Sequence, residues 1–295
     1  METKEKMKSA NGFQLSAGLV IAICFIITLF IFMGVLGNPN NFQGGAYQGG
    51  LPGITESSSM WEYMKVRWFS LERSNPLPGN LLGTIFKGGI IVPVIQSLLL
   101  TVIVLSVERF FAIRKANGTG NLTQFVRNIK AALQSGDIAK AEQICALQKG
   151  SVANVVNSAL IKYHEMENAK GLSKEQKLIT IQKEIEEATA LELPTLEQNL
   201  GVIATMTTLG TLLGLLGTVI GMIGAFAALA TAGSPDSVKL SEGISEALVN
   251  TAFGIATAAA AVISYNYFTS KIDKITYCID EVGFTIVQSY SATHE

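Results

Sequence analysis

Residues 200–268 read LGVIATMTTLGTLLGLLGTVIGMIGAFAALATAGSPDSVKLSEGISEALVNTAFGIATAAAAVISYNYF, two apolar runs rich in glycine, alanine and threonine around a short polar turn. The first, Leu200 to Ala232, exceeds the roughly 20 residues that a bilayer-crossing helix needs. The second, Ile244 to Phe268, is nearly as long and holds no charge after Glu246. Wound as helices, the first run places Thr207, Thr211, Gly214, Thr218, Gly221 and Ala225 on one stripe at three- and four-residue steps. The second sets Glu246, Asn250, Thr251, Gly254, Ala258 and Ala261 on a similar flank, with Leu248, Phe253, Val262 and Ile263 mostly elsewhere. Small faces let two helices approach closely, so Gly214, Gly217, Gly221 and Gly254 are expected to be helix-packing positions.

Composition sets the class. Of 295 residues, 48% are hydrophobic and only 15% charged, against about a quarter charged in soluble domains, so an all-α integral membrane protein is expected. The net charge of −1 offers no basic excess for nucleic acid. Cys24, Cys145 and Cys278 are odd in number, far apart and without metal-ligand spacing, and read as packing residues in a reduced setting. No metal or cofactor is expected. His164 and His294 are isolated, and neither a nucleophile–base set nor a phosphate-cradling loop occurs, so enzymatic chemistry finds no support.

Working outward from the pair, the chain divides into a short N-terminus with Lys4, Lys6 and Lys8 (1–14), a first span (15–36), a polar loop (37–87), a second span (88–113), a polar helical domain (114–199), the two runs (200–232 and 244–268) with their loop (233–243), and a basic tail (269–295). The 15–36 run is longer than the usual 7–15-residue core of a signal peptide and no small-residue cleavage site follows, so it is expected to be retained. In the polar loop, Trp61, Tyr63, Trp68 and Phe69 suit either a helix lying at the membrane interface or an aromatic mini-core. Lysine and arginine crowd the segment between the second and third spans, which places both termini and this domain in the cytoplasm. Within it, Phe125, Ile129 and Leu133 share a helix face, Gly136-Asp137 marks a break, and Ser173 with Gln176 forms a capping box. A helix continuing from Ser173 through Pro194 into the third span would be a rod of about 90 Å.

Leu213-Gly214-Leu215-Leu216-Gly217-Thr218-Val219-Ile220-Gly221-Met222 resembles the third-span signature of the ExbB/TolQ/MotA proton-channel family, in its ExbB/TolQ branch. Ile244-Ser245-Glu246-Ala247-Leu248, Thr251-Ala252-Phe253-Gly254 and Tyr265-Asn266 are similar to the last span of that branch, and Val107-Glu108-Arg109 to the end of its first. The resemblance implies a three-span core with one extra N-terminal span, in a bacterial inner membrane. It implies a homo-pentamer around an ExbD- or TolR-like single-span partner whose aspartate carries the ion, working with a TonB-like energy transducer. Carried over residue by residue, Thr218 and Thr251 match paired pore threonines, Glu246 the glutamate at the periplasmic end of the last span, and Thr211 adds a hydroxyl to the Thr218 face. Membrane-embedded threonines also commonly bond their own helix, and Glu246 can equally be a structural partner between subunits. Many family members carry prolines where this chain has Gly210-Thr211 and Ala259-Ala260, so straighter spans are expected here. The leading expectation is a proton-driven motor subunit for TonB-dependent transport. A TolQ-like role in envelope maintenance and a non-conducting membrane scaffold are the alternatives.

Overall fold

The computed structural model describes residues 16–42, 76–77, 79–231 and 237–293. Among them the fold is all-α, its one extended pairing an isolated bridge between Phe42 and Pro76. In chain order the helices are α1 (Ala17–Ile31, prolonged by a π-turn over Phe32–Leu36), α2 (Leu81–Phe86), α3 (Ile91–Ala116), α4 (Leu122–Gln134), α5 (Ile138–Gln148), α6 (Ser151–Asn168), α7 (Lys174–Glu197), α8 (Leu200–Thr231) and α9 (Ser237–Thr293). Four of the helical stretches are long and apolar enough to cross a membrane, as the composition predicts. The aromatic group at 61–69 and His294 lie outside the described residues.

Two compact units share these helices, one built from the described residues within 13–105 and 202–264, the other from those within 106–201 and 265–295; α3 and α9 contribute to both. In the first unit, α1 ends in a knot of aromatic and amide groups. Phe32 stacks on Phe86 at 4.7 Å between ring centroids, Phe42 meets Phe86 edge-on, and Leu36 and Val92 complete a buried cluster. The last carbonyls of a helix lack partners within it. Here the Asn41 amide donates to the Val35 and Leu36 carbonyls, while Asn80 donates to Asn41 and caps α2.

The second unit follows ordinary amphipathic logic. Phe125, Ile129 and Leu133 of α4 are buried, Gly136 turns the chain with φ 71°, and Asp137 caps α5 by accepting from the Lys140 amide. The capping box forms with both of its bonds, Ser173 amide to Gln176 and Gln176 amide to Ser173 Oγ. The rod through the third span does not form. α7 passes Pro194, but it stops at Glu197, and Asn199 adopts a left-handed conformation at φ 61°. Arg109, buried and paired with Glu108, donates to the Thr195 and Leu196 carbonyls at 3.1 and 3.4 Å, so the broken helix end is satisfied from outside. The stretch read as a basic tail is also different. α9 runs on to Thr293 and buries Ile272, Ile275, Ile279, Val282, Ile286 and Tyr290, an apolar face that the flanking lysines obscure in the sequence. Likewise α9 begins at Ser237, inside the stretch read as a loop over 233–243.

Candidate functional site

The site is built on the packing of α8 against α9 in the first unit. Glycine allows this packing because it puts no Cβ between the two backbones. A Cβ on Gly254 would lie 2.6 Å from the Gly210 carbonyl oxygen, one on Gly214 would lie 3.1 Å from the Gly254 Cα, and one on Gly221 would lie 2.9 Å from the Gly243 carbonyl. A Cβ on Gly217 would run into the side chain of Asn250. All four glycines singled out in the sequence therefore line this interface. Gly210 and Gly243 join them, and an every-third-or-fourth count from Gly214 and from Ala247 would have found both.

At the level of Gly214, the hydroxyls of Thr218 and Thr251 touch each other. Each also reaches a carbonyl of its own helix, Thr218 to Gly214 at 3.1 Å and Thr251 to Ala247 at 3.1 Å, with the Gly214 carbonyl 3.5 Å from Thr251 as well. A hydroxyl has one proton to give and two lone pairs. If one hydroxyl donates to a carbonyl and the other donates to it, lone pairs remain on both oxygens. Rotation about Cβ–Oγ turns either into a donor for a third group. The pair can therefore serve a carboxylic acid in either protonation state, and α8 contains no acidic or basic residue of its own.

The other sequence-predicted positions stand apart from this pair. Thr211 is exposed and its hydroxyl donates to the Thr207 carbonyl, so the structure does not bring it to Thr218 and Thr251. The reason is the real packing line of α8, which runs through Ile203, Met206, Gly210, Gly214, Gly217, Gly221 and Ala225, one residue away from Thr211. Glu246 lies a little over a turn before Thr251, its carboxylate over Gly89, where a Cβ would collide with it. Gly89 has φ +76°, so glycine is demanded there twice, by conformation and by space.

Asn250 is the feature of the stripe whose contacts sequence spacing does not reveal. It is fully buried, and its Nδ2 donates to the Gly88 carbonyl at 2.9 Å. Lys87 pairs with Glu242 at 3.5 Å on the same side of α9.

Burial pushes the Cys145 thiol up to about 12, with Glu142 adding to the shift, and burial likewise raises Cys278, Tyr163 and Tyr290. All three cysteines are free and buried. His164 is exposed beside Glu167 at 2.9 Å. Among the described residues no three His, Cys, Asp or Glu side chains gather as metal ligands would.

Residues 152–281, which include α8, Glu246, Thr218 and Thr251, match the MotA/TolQ/ExbB proton channel family. The chain is also similar to a biopolymer transport protein ExbB homolog of Methanothermobacter thermautotrophicus, 25% identical over 199 residues, which is 66% of this chain and 66% of that protein. The chain thus spans about two thirds of the length of that curated relative.

Proposed function

We propose, from the match of residues 152–281 to the MotA/TolQ/ExbB proton channel family, that this chain is the ExbB-like subunit of a motor in the inner membrane that couples the proton motive force to TonB-dependent transport. The observation that carries this reading is the Thr218–Thr251 hydroxyl contact, set among glycines on two apolar helices. A proton path through a bilayer needs an ionisable group, and the pair is a receptor for one that α8 does not supply. An ExbD- or TolR-like single-span partner bringing an aspartate to this level supplies it, and the hydroxyls hold it in both charge states. The apolar faces of α8 and α9 left exposed, with Leu212, Leu215, Val219 and Ile223 on one and Leu248, Ile255 and Ile263 on the other, suit lipid and further copies in a homo-pentamer.

Co-expression with a short single-span protein carrying a membrane aspartate, followed by native mass measurement in lipid, tests the assembly. Five copies of this chain with two of the partner are expected. A monomer or dimer that never retains the partner would contradict the proposal.

A further inference from the structure

Four residues on one face of α9 hold the turn that leads into α3. Glu242 pairs with Lys87, the Glu246 carboxylate lies over Gly89, a Cβ on Gly88 would lie 3.0 Å from Val249 Cγ1, and Asn250 donates to the Gly88 carbonyl. The neighbouring face, with Gly243, Ala247, Thr251 and Gly254, meets α8. Asn250 belongs to both. Its side chain lies against Gly217, the residue before Thr218, while its Nδ2 reaches the turn, and Asn250 itself is the residue before Thr251. The turn at 87–89 is outside the residues that match the family, so Asn250 fastens the N-terminal part of the chain to the family core beside the hydroxyl pair.

We propose that Asn250 is a positioning residue for the Thr218–Thr251 pair: wedged against Gly217 and tied to the Gly88 carbonyl, it fixes the rotation and height of α9 against α8 where the two hydroxyls meet. An O–H···O bond tolerates only a few tenths of an ångström in distance, and successive residues on a helix point about 100° apart. A small roll of α9 about its axis is therefore enough to part the hydroxyls. The Asn250 bond to the turn resists that roll, because the turn lies between Phe86 and Val92, both buried in the aromatic cluster with Phe32, Leu36 and Phe42. What the pair does rests on the function proposed above; where it sits is a question of geometry and is measured separately.

The experiment uses the full chain in native membranes with Cys24, Cys145 and Cys278 replaced. Thr218→Cys with Thr251→Cys is oxidised and the rate of disulfide formation followed. Carbodiimide coupling of Lys130 to Glu281, an ion pair of the second unit, is the reference reaction. Asn250→Leu keeps the bulk and removes the amide; Asn250→Ala serves as the second variant where leucine fails to insert. Either is expected to slow the cysteine pair about fivefold, the weight of one net buried hydrogen bond, and to leave the reference reaction unchanged. An unchanged rate at the cysteine pair, or equal slowing of both reactions, overturns the proposal. Proton flux of Asn250→Ala with both threonines intact is expected to fall by a similar factor. Loss of flux without slowed cross-linking would make the amide a direct participant and also overturn it. Slowed cross-linking with undiminished flux would uphold the positioning and count against the role given to the pair.

Discussion

Thr218 and Thr251 are isosteric with valine, so exchanging each hydroxyl for a methyl separates hydrogen bonding from shape. A buried carboxylate that loses its donor suffers about 1–3 kcal/mol or more of desolvation. Thr218→Val and Thr251→Val are each expected to lower proton flux about tenfold while the assembled complex persists, and Thr→Ser at either position to retain most of it. Thr205→Val, exposed and off the interface, is expected to match the wild type. Flux through the complex in liposomes is the measurement. A different residue-scale test concerns Cys145. With its thiol pushed up to about 12 by burial, the folded protein keeps a proton there that the unfolded chain, with an ordinary thiol near 8.5, gives up. Alkylation of Cys145 is therefore expected to be negligible from pH 8 to 10 in the folded protein and rapid once it is denatured. The sign for stability follows: the unfolded state releases its proton first, so this thiol lowers stability progressively as pH rises from about 9 towards 12.

Helices α8 and α9 show what an element can tolerate. Gly254→Ala would place a methyl 2.6 Å from the Gly210 carbonyl, a backbone atom that cannot step aside, whereas a Cβ on Gly224 meets nothing within 4 Å. The first substitution is expected to abolish stable assembly; Gly224→Ala is expected to be neutral or to stabilise by up to about 1 kcal/mol through helix propensity, both read from thermal unfolding in lipid nanodiscs. The junction between α7 and α8 is similarly exposed to one change. Arg109→Met would leave the half-buried Glu108 with Asn199 in place of its ion-pair partner and two carbonyls without a donor, a loss of about 3 kcal/mol, and Arg109→Lys is expected to recover only part of it, since an ammonium cannot replace the planar fork. The spans, the capping box at Ser173 and the glycine interface were all legible from periodicity, because each depends on residues three or four apart. The break at Asn199 was not, since what stabilises it is Arg109, 86 residues away from Thr195. Nor was the Asn250 bond, whose acceptor is 162 residues distant. Thr211 shows the same limit on a smaller scale: spacing places it within reach of the Thr218 stripe, but only the contact with α9 decides which edge of that stripe is buried.

For the molecule as a whole, the large aliphatic residues exposed along α8 and α9 and on α1, where Phe30 is 73% exposed, require lipid or further subunits. The homo-pentamer proposed above puts α8 and α9 at its axis and α1 toward lipid. Cross-links from Phe30→Cys are accordingly expected with lipid-borne probes and absent with the partner helix. The central claim, that this chain conducts protons by offering paired hydroxyls to another subunit's carboxylate, is tested most directly by proton flux in liposomes under an imposed pH gradient. The chain alone, the complex with its aspartate-bearing partner, and the complex carrying Thr218→Val with Thr251→Val are compared at equal protein content. Flux is expected from the wild-type complex only. Flux from the double variant equal to that of the wild-type complex would contradict the claim.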